Sequence, residues 1–534
     1  MEHLRASLGT LAVMSASILV GLNQAFTGAA LDTMRNTVKD GPSKLSLPDD
    51  SDLWVFRGDG GNQNVMASWF SGLFAIGCVF GALIGYPLSD RFGRKMAVLL
   101  TVPFYAAGLA VISTCSKPGL LILGRILSGV GAGCACVAVP TYIGETAPTS
   151  IRGILGAGHQ LGIAFGAMLS YLMADYVRTG ADGYYISDLS AAKSNAFANW
   201  RRIAEYSQIL VGVMCLAVLF VPETPRWLAA HGKIDQAKKV LANLRGGELT
   251  VEEVESLEKV AAQSAKKKKV TYADLKSNRK QLFVGIGIHL LQQAAAVQAF
   301  NFYLSTMLQE AGIKKKGTVS FIAMILKFAV TFILVVFIDR HGRRPFLLIG
   351  SFLMSASCVT MGLGYYFQEN GSMVNNAVFE VAAYVFCAAY GLGVGPIPWL
   401  LMSELFEDKI RAVASSWASA VNWLTCFAIT QSFFPLTEYI NYSGTLWVYA
   451  GGGAGLFIFT LLFLPETKGK TFEEIKAHFN GKEMPPVKGE GEALVSKLGS
   501  TSAGVNVENG VPARASYPTD TLRSLDPLLD KDKN

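Results

Sequence analysis

The chain has 534 residues, 51% of them hydrophobic and only 16% charged, with a mean hydropathy of +0.35. A soluble protein of this length carries about 25% charged residues and divides into several domains, so the composition excludes an ordinary soluble protein. The net charge of +7 sits in loops between apolar runs and is no sign of a nucleic-acid partner.

The apolar residues are blocked rather than periodic. About twelve runs follow one another, near 8–31, 64–88, 96–114, 119–142, 154–176, 205–221, 281–308, 316–338, 345–367, 377–402, 413–436 and 444–464. A helix of about 20 apolar residues crosses a ~30 Å hydrocarbon core. The reading is an all-α membrane protein with twelve transmembrane helices. The first run keeps Asn23 and Gln24 and has no small-residue cleavage site, so it reads as a retained span. Polar loops are expected at 32–63 and 177–204. The segment 222–280 places Lys, Glu, Leu and Ala at helical spacing, which predicts short amphipathic helices. Its run Lys266 to Lys269 reads as solvated or facing lipid headgroups. From about 482 onward apolar runs cease, and the tail reads as disordered.

Basic residues fall on alternate loops: Arg91, Arg94 and Lys95, then Arg152, then Lys266 to Lys269, then Arg340, Arg343 and Arg344. That bias makes those loops cytoplasmic and puts both termini inside. On this topology two sequons, at Asn370 and Asn441, lie outside. The eight cysteines have no metal spacing and read as small buried hydrophobes. Gly77, Gly81 and Gly85, and likewise Gly158, Gly162 and Gly166, sit four apart, as close helix packing in lipid requires. The Gly469-Lys470-Thr471 stretch lacks the upstream glycine of a phosphate loop. No nucleophile–base pair or metal motif stands out, so neither an enzyme nor a cofactor is expected.

The chain is duplicated. Asp90-Arg91-Phe92-Gly93-Arg94-Lys95 recurs as Asp339-Arg340-His341-Gly342-Arg343-Arg344. Glu145 leads to Arg152 as Glu404 leads to Arg411, and Pro222-Glu223-Thr224 pairs with Pro465-Glu466-Thr467. The expected division is a first bundle over 1–221, a linker over 222–280, a second bundle over 281–478 and a tail over 479–534. Two similar bundles around a midplane site are a transporter architecture.

Neutral amides lie inside the apolar runs: Gln160, Gln292, Gln293, Gln298 and Asn422. They donate and accept hydrogen bonds without the cost of a buried charge, as a polyhydroxylated solute requires. Trp399 offers a flat face for a sugar ring. The competing reading is that the amides only bond neighbouring helices.

The duplicated signatures, the two Pro-Glu-Thr ends, Gly124-Arg125, Gln292-Gln293 and Gly395-Pro396-Ile397-Pro398-Trp399 together resemble the sugar porter family of the major facilitator superfamily, over about residues 8–478. The resemblance implies two pseudo-symmetric six-helix bundles, a central sugar site and alternating access. It puts Gln160, Gln292, Gln293, Trp399 and Asn422 at sugar-contacting positions and Tyr303 at a gate. By the same analogy Asp90, Arg91, Arg94, Glu145, Arg152, Asp339, Arg343, Glu404 and Arg411 form a cytoplasmic salt-bridge latch. Proton-driven relatives carry an aspartate facing Arg125 where this chain has Asn23, an amide that cannot titrate. The expectation is therefore facilitated diffusion of a glucose-like hexose by a monomer, at the plasma membrane. A proton symporter, an organic-anion carrier (urate or a uronic acid) and a non-transporting nutrient sensor are the alternatives.

Two positions depart from the family pattern. Gln298 stands where asparagine is usual. Lys327 stands where glucose-transporting relatives usually have a neutral asparagine, about 18 Å up the eighth run from Asp339 at ~1.5 Å per residue. Such a lysine should pair with a membrane acid such as Glu380, be neutral or snorkel, or contact substrate.

Overall fold

The structure is a computed structural model that describes residues 4–35, 60–115, 117–147, 152–179, 199–247, 249–265, 270–407, 409–470 and 472–479. Most of the two expected polar loops, the Lys266 to Lys269 run and the tail beyond 479 lie outside the described residues. Among those described there is no strand.

In the first half, α1 (Leu4–Arg35), α2 (Gly60–Phe92), α3 (Arg94–Leu99) with α4 (Thr101–Thr114), α5 (Pro118–Thr146), α6 (Arg152–Thr179) and α7 (Asn199–Leu219) correspond to the first six apolar runs. Four short helices follow: α8 (Pro225–Ala230), α9 (Ile234–Arg245), α10 (Val251–Ala265) and α11 (Tyr272–Ser277). The second half holds α12 (Arg279–Ala294), α13 (Val297–Glu310), α14 (Lys316–His341), α15 (Arg344–Glu369), α16 (Asn376–Ala389), a π turn (Tyr390–Val394), α17 (Pro396–Leu405) and α18 (Arg411–Phe463). A last helix, α19, spans Phe472–Phe479.

Ten helical stretches are long and apolar enough to cross a membrane. One of these, α18, has non-helical dihedrals at Ile440 and Asn441, which divide its 53 residues into the eleventh and twelfth expected runs. The 28-residue α6 covers the fifth run. Hydrophobic side chains such as Phe332, Phe352 and Leu462 are exposed on the bundle exterior, where lipid would solvate them. The fold is that of an all-α, multi-pass membrane protein.

Small residues set the helix spacing. A Cβ at Gly77 or Gly81 of α2 would run into the backbone of α5 at Ile126 and Val130, and one at Gly166 of α6 would meet Ile18 of α1. The glycines are therefore packing residues, as their spacing predicted. The linker helices α8, α9 and α10 share a small core of Leu228, Ala237, Leu241 and Leu257. The Thr224 side chain accepts from the Trp227 N–H and caps α8, whose first residue is Pro225. At the far end of the linker, Asp274 of α11 pairs with Lys409 at 2.6 Å, which fixes α11 to the second half. All eight cysteines are free thiols, six of them buried.

Candidate functional site

Two spanning helices of the second half are interrupted along their length. Between α12 and α13 the chain passes through Ala295 and Ala296, and Ala296 adopts a left-handed φ of 64°. Between α16 and α17 it widens into the π turn. A π turn shifts carbonyls off the helical ladder, and the freed oxygens need donors in the apolar interior. Gln292 supplies them. Its Nε2 donates to the Val394 carbonyl at 2.6 Å and to that of Gly395 at 3.3 Å.

From there an amide layer crosses to α18. Asn422 Nδ2 donates to Gln292 Oε1 at 2.8 Å and to the His289 carbonyl at 3.1 Å, and Asn422 Oδ1 accepts from Gln293 Nε2 at 3.0 Å. Gln292 and Asn422 are thus bonded to neighbouring helices through both their nitrogen and their oxygen. Gln293 is not: its Oε1 is buried with no hydrogen-bond partner. Trp399 is half-buried and lies edge-on to His289, with ring centres 5.0 Å apart.

A second polar chain joins the two halves. Gln160 of α6 donates to the Tyr390 hydroxyl at 3.2 Å. Lys327 of α14 lies over the Tyr390 ring, 4.5 Å from its centre, and donates to Asn301 Oδ1 at 3.2 Å. Asn301 Nδ2 in turn donates to Gln298 Oε1 at 3.0 Å. The expected pairing of Lys327 with Glu380 is not formed. Its ammonium has no carboxylate partner among the described residues, and Glu380 is half-exposed on α16. Snorkelling does not occur either, since Lys327 is 2% exposed. A Cβ at Gly391 would lie 2.6 Å from the Lys327 carbonyl, so only glycine lets the π turn pass this close to α14.

Beyond this layer, away from the basic loops, the halves touch. The Tyr171 hydroxyl donates to the Asn301 carbonyl at 3.2 Å, Phe74 packs edge-on to Trp423, and Trp69 lies against Phe427. Tyr303 is fully buried here. It stacks on Phe433 with centres 4.7 Å apart and donates to the Thr430 carbonyl at 3.4 Å. At this end the described residues of the two halves are in contact.

Arg125 is 0% exposed, and its partners are all neutral. Its guanidinium donates to the Asn23 carbonyl at 2.9 Å, to Thr27 Oγ1 at 2.9 Å and to the Phe70 carbonyl at 3.4 Å, and it lies within 5.8 Å of the ring centres of Phe26, Phe70 and Phe74. The Asn23 side chain instead donates to the Leu19 carbonyl at 3.0 Å.

The duplicated charges form two matching clusters, one at each half's repeated signature. Arg94 pairs with Glu145 at 2.8 Å and with Asp90 at 3.8 Å, while Arg343 pairs with Glu404 at 2.9 Å and with Asp339 at 3.1 Å. Glu223 accepts from the backbone N–H groups of Arg94 and Lys95, and Glu466 from those of Arg343 and Arg344. Thr224 and Thr467 each donate to the facing glutamate, Glu145 or Glu404, at 2.5 Å. These clasps explain the central glycines. Gly93 and Gly342 have φ of 101° and 90°, and a side chain at either would collide with Glu223 or Glu466. Arg91 is exposed and packs on Phe92 instead of joining a cluster. The Arg411 Nε donates to the Phe406 carbonyl at 3.2 Å. The Arg152 side chain lies outside the described residues.

Residues 9–479 match the model of the sugar (and other) transporter family. The chain belongs to that family. It is 31% identical to a facilitated trehalose transporter, Tret1, of Polypedilum vanderplanki over 89% of this chain and 88% of the relative. It is 32% identical to the sugar transporter ERD6-like 6 of Arabidopsis thaliana over 77% and 82%. Among solved structures it resembles the proton:xylose symporter XylE of E. coli bound to 6-bromo-6-deoxy-D-glucose, with a TM-score of 0.74, 23% identity and coverage of 90% and 100%. That likeness shows the major facilitator fold.

The structure adds partners that the sequence reading had not assigned to the site or the latch. Tyr390, Asn301 and His289 join the amide layer, and Glu223, Glu466, Thr224 and Thr467 complete the clasps. Asn301 had a signal, an amide in the same apolar run as Gln298. The Pro-Glu-Thr ends were visible as a repeat, but their partners are distant in sequence.

Proposed function

We propose that this protein carries a hexose-like monosaccharide across its membrane by alternating access and facilitated diffusion. The observation that carries the reading is Gln293. Its buried Oε1 lacks a donor in a layer otherwise built from satisfied neutral amides, and a sugar hydroxyl would supply one. An orphan acceptor of this kind costs about 1–3 kcal/mol, which a bound sugar would recover. Half-buried Trp399 offers the apolar face for the ring, and Gln160 belongs to the opposite half, so one ligand would touch both halves.

Facilitated diffusion rests on Asn23 and on the neutral partners of Arg125, which leave no proton-accepting carboxylate beside that guanidinium among the described residues. The basic ends of the helices are assigned to the cytoplasm, which places the end where the halves touch, with Tyr303 as its gate, outside. The two charged clasps stiffen the cytoplasmic ends, and the monomer in the plasma membrane is the working unit. A disaccharide is the second reading, favoured by insect relatives described as trehalose transporters.

Uptake of labelled glucose into proteoliposomes, competed by xylose and trehalose and repeated with an imposed proton gradient, tests all of this. Saturable glucose uptake indifferent to the gradient is expected. Uptake that occurs only with a proton gradient would refute facilitated diffusion, and competition by trehalose alone would replace the monosaccharide.

A further inference from the structure

The two buried cations of this carrier are treated differently. Arg125 is wrapped: three hydrogen-bond acceptors and three ring faces surround its guanidinium. Lys327 is not. An ammonium carries three donors, yet among the described residues that of Lys327 makes a single hydrogen bond, to Asn301 Oδ1 at 3.2 Å, and rests on one ring, that of Tyr390. It is as deeply buried as the amides beside it, and no carboxylate among the described residues compensates it. Deletion of a counter-charge from a buried pair is strongly destabilising, so a site kept in this state is one for which the counter-charge arrives from elsewhere.

Its place says from where. Asn301 and Tyr390, which meet the Lys327 ammonium, are also bonded to Gln298 and to Gln160. The charge therefore sits over Tyr390, the first residue of the π turn whose Val394 carbonyl is held by Gln292, the neighbour in sequence of Gln293 with its orphan acceptor. A ligand whose hydroxyls are held by these amides would bring its remaining substituent close to the ammonium. A neutral hydroxyl there would solvate the charge poorly, whereas a carboxylate would neutralise it.

We propose that Lys327 is a charge-selective subsite, and that the central site takes an acidic monosaccharide, a sugar bearing a carboxylate, in preference to the neutral sugar. This rests on the sugar-carrier reading above and names the substrate class within it. The carboxylate would accept from the Lys327 ammonium, while Asn301 and Tyr390 keep the side chain over the ligand.

The test uses the full chain in proteoliposomes, with labelled glucose as reporter and sodium D-glucuronate as competitor. Glucuronate is expected to inhibit glucose uptake at a concentration at least tenfold lower than unlabelled glucose. In Lys327→Met the ratio of the glucose to the glucuronate inhibition constant should fall at least tenfold, and in Lys327→Arg it should remain within about threefold of the native ratio. Glucose uptake that glucuronate does not inhibit in the native protein would overturn the charge subsite while leaving the sugar carrier intact. A Lys327→Met ratio equal to the native one would do the same. Absence of uptake or binding of either sugar would overturn both readings. The native competition requires no variant to fold, so a poorly folding Lys327→Met does not protect the proposal.

Discussion

Gly342→Ala isolates what the clasp at the helix ends contributes. Gly342 has φ 90° and ψ 178°, a region that only glycine populates freely, and forcing alanine into it costs about 1–3 kcal/mol. The new Cβ would also stand 2.5 Å from Glu466 Oε2 and 2.6 Å from its Cδ, so the carboxylate must leave. Glu466 then gives up its bonds to the Arg343 and Arg344 N–H groups, at 2.9 and 3.0 Å. Bonds to a charged acceptor are worth about 1.5–3 kcal/mol each. Glu466 is half-exposed, and competition from water reduces each to about 1 kcal/mol. The total is about 3–5 kcal/mol, of which about 2 kcal/mol belongs to the side-chain displacement. Thermal unfolding of the detergent-solubilised protein, followed by loss of the monodisperse species, should show a clear fall for Gly342→Ala. In a Glu466→Ala background the same substitution should cost only the backbone part, a coupling of about 2 kcal/mol. Equal costs in the two backgrounds would refute the collision argument. Gly93→Ala with Glu223→Ala is the matching cycle in the first half.

Four further outcomes follow from the same geometry. Gln292→Ala orphans the Val394 and Gly395 carbonyls and should destabilise by about 2–4 kcal/mol, whereas Gln293→Ala, with one bond to lose, should mainly weaken sugar binding by about 5–30-fold; equal effects on the thermal midpoint would contradict the division. Ala296→Gly relieves a left-handed alanine worth about 1–2 kcal/mol of strain against a glycine entropy cost of about 0.5–1 kcal/mol, so the midpoint should rise slightly, and a fall would show that the Ala296 methyl matters more than its φ. Burial raises the Glu223 carboxyl above its ordinary 4.5, with the Thr224, Lys95 and Arg94 N–H groups opposing; the folded chain then holds that proton more tightly than the unfolded one, so this group's contribution to stability falls as pH rises from 4.5 through the folded value, and Glu223→Gln should flatten that part of the midpoint–pH curve, identical curves counting against it. Asn23→Asp puts a titratable group on the helix turn that Arg125 grips and should make uptake depend on a proton gradient; a variant that carries sugar with no such dependence would show that the guanidinium alone does not create coupling.

The spans were legible because lipid demands them: twelve apolar stretches can hardly be read otherwise, and the repeated Asp-Arg-x-Gly-Arg signature shows the duplication within the chain itself. Helix interiors were harder. Nothing in Ala294-Ala295-Ala296 announces a break, since alanine is the best helix former; the left-handed turn is imposed by packing. The glycines of Tyr390–Val394 signalled looseness, but not which carbonyls would be freed or that Gln292 would meet them. Gln292 and Asn422 read as substrate groups, and the structure bonds both ends of each amide to neighbouring helices, while Gln293, equal to them in sequence, keeps an acceptor without a partner. The partners of Gly93 and Gly342 lie more than a hundred residues onward, beyond the reach of any local pattern.

The break at Ala295–Ala296 has a mechanical consequence. An unbroken helix from Arg279 to Glu310 would act as one lever, and any swing at its far end would drag Gln292 and Gln293 out of register with Asn422. With the joint in place, α13 can leave the first half by giving up the Tyr171–Asn301 bond and slide against α18 by giving up the Tyr303–Phe433 stack, while α12 stays fastened to α18. The amide layer would then hold its shape while access to it changes, and its affinity for a ligand need not be rebuilt with each turnover.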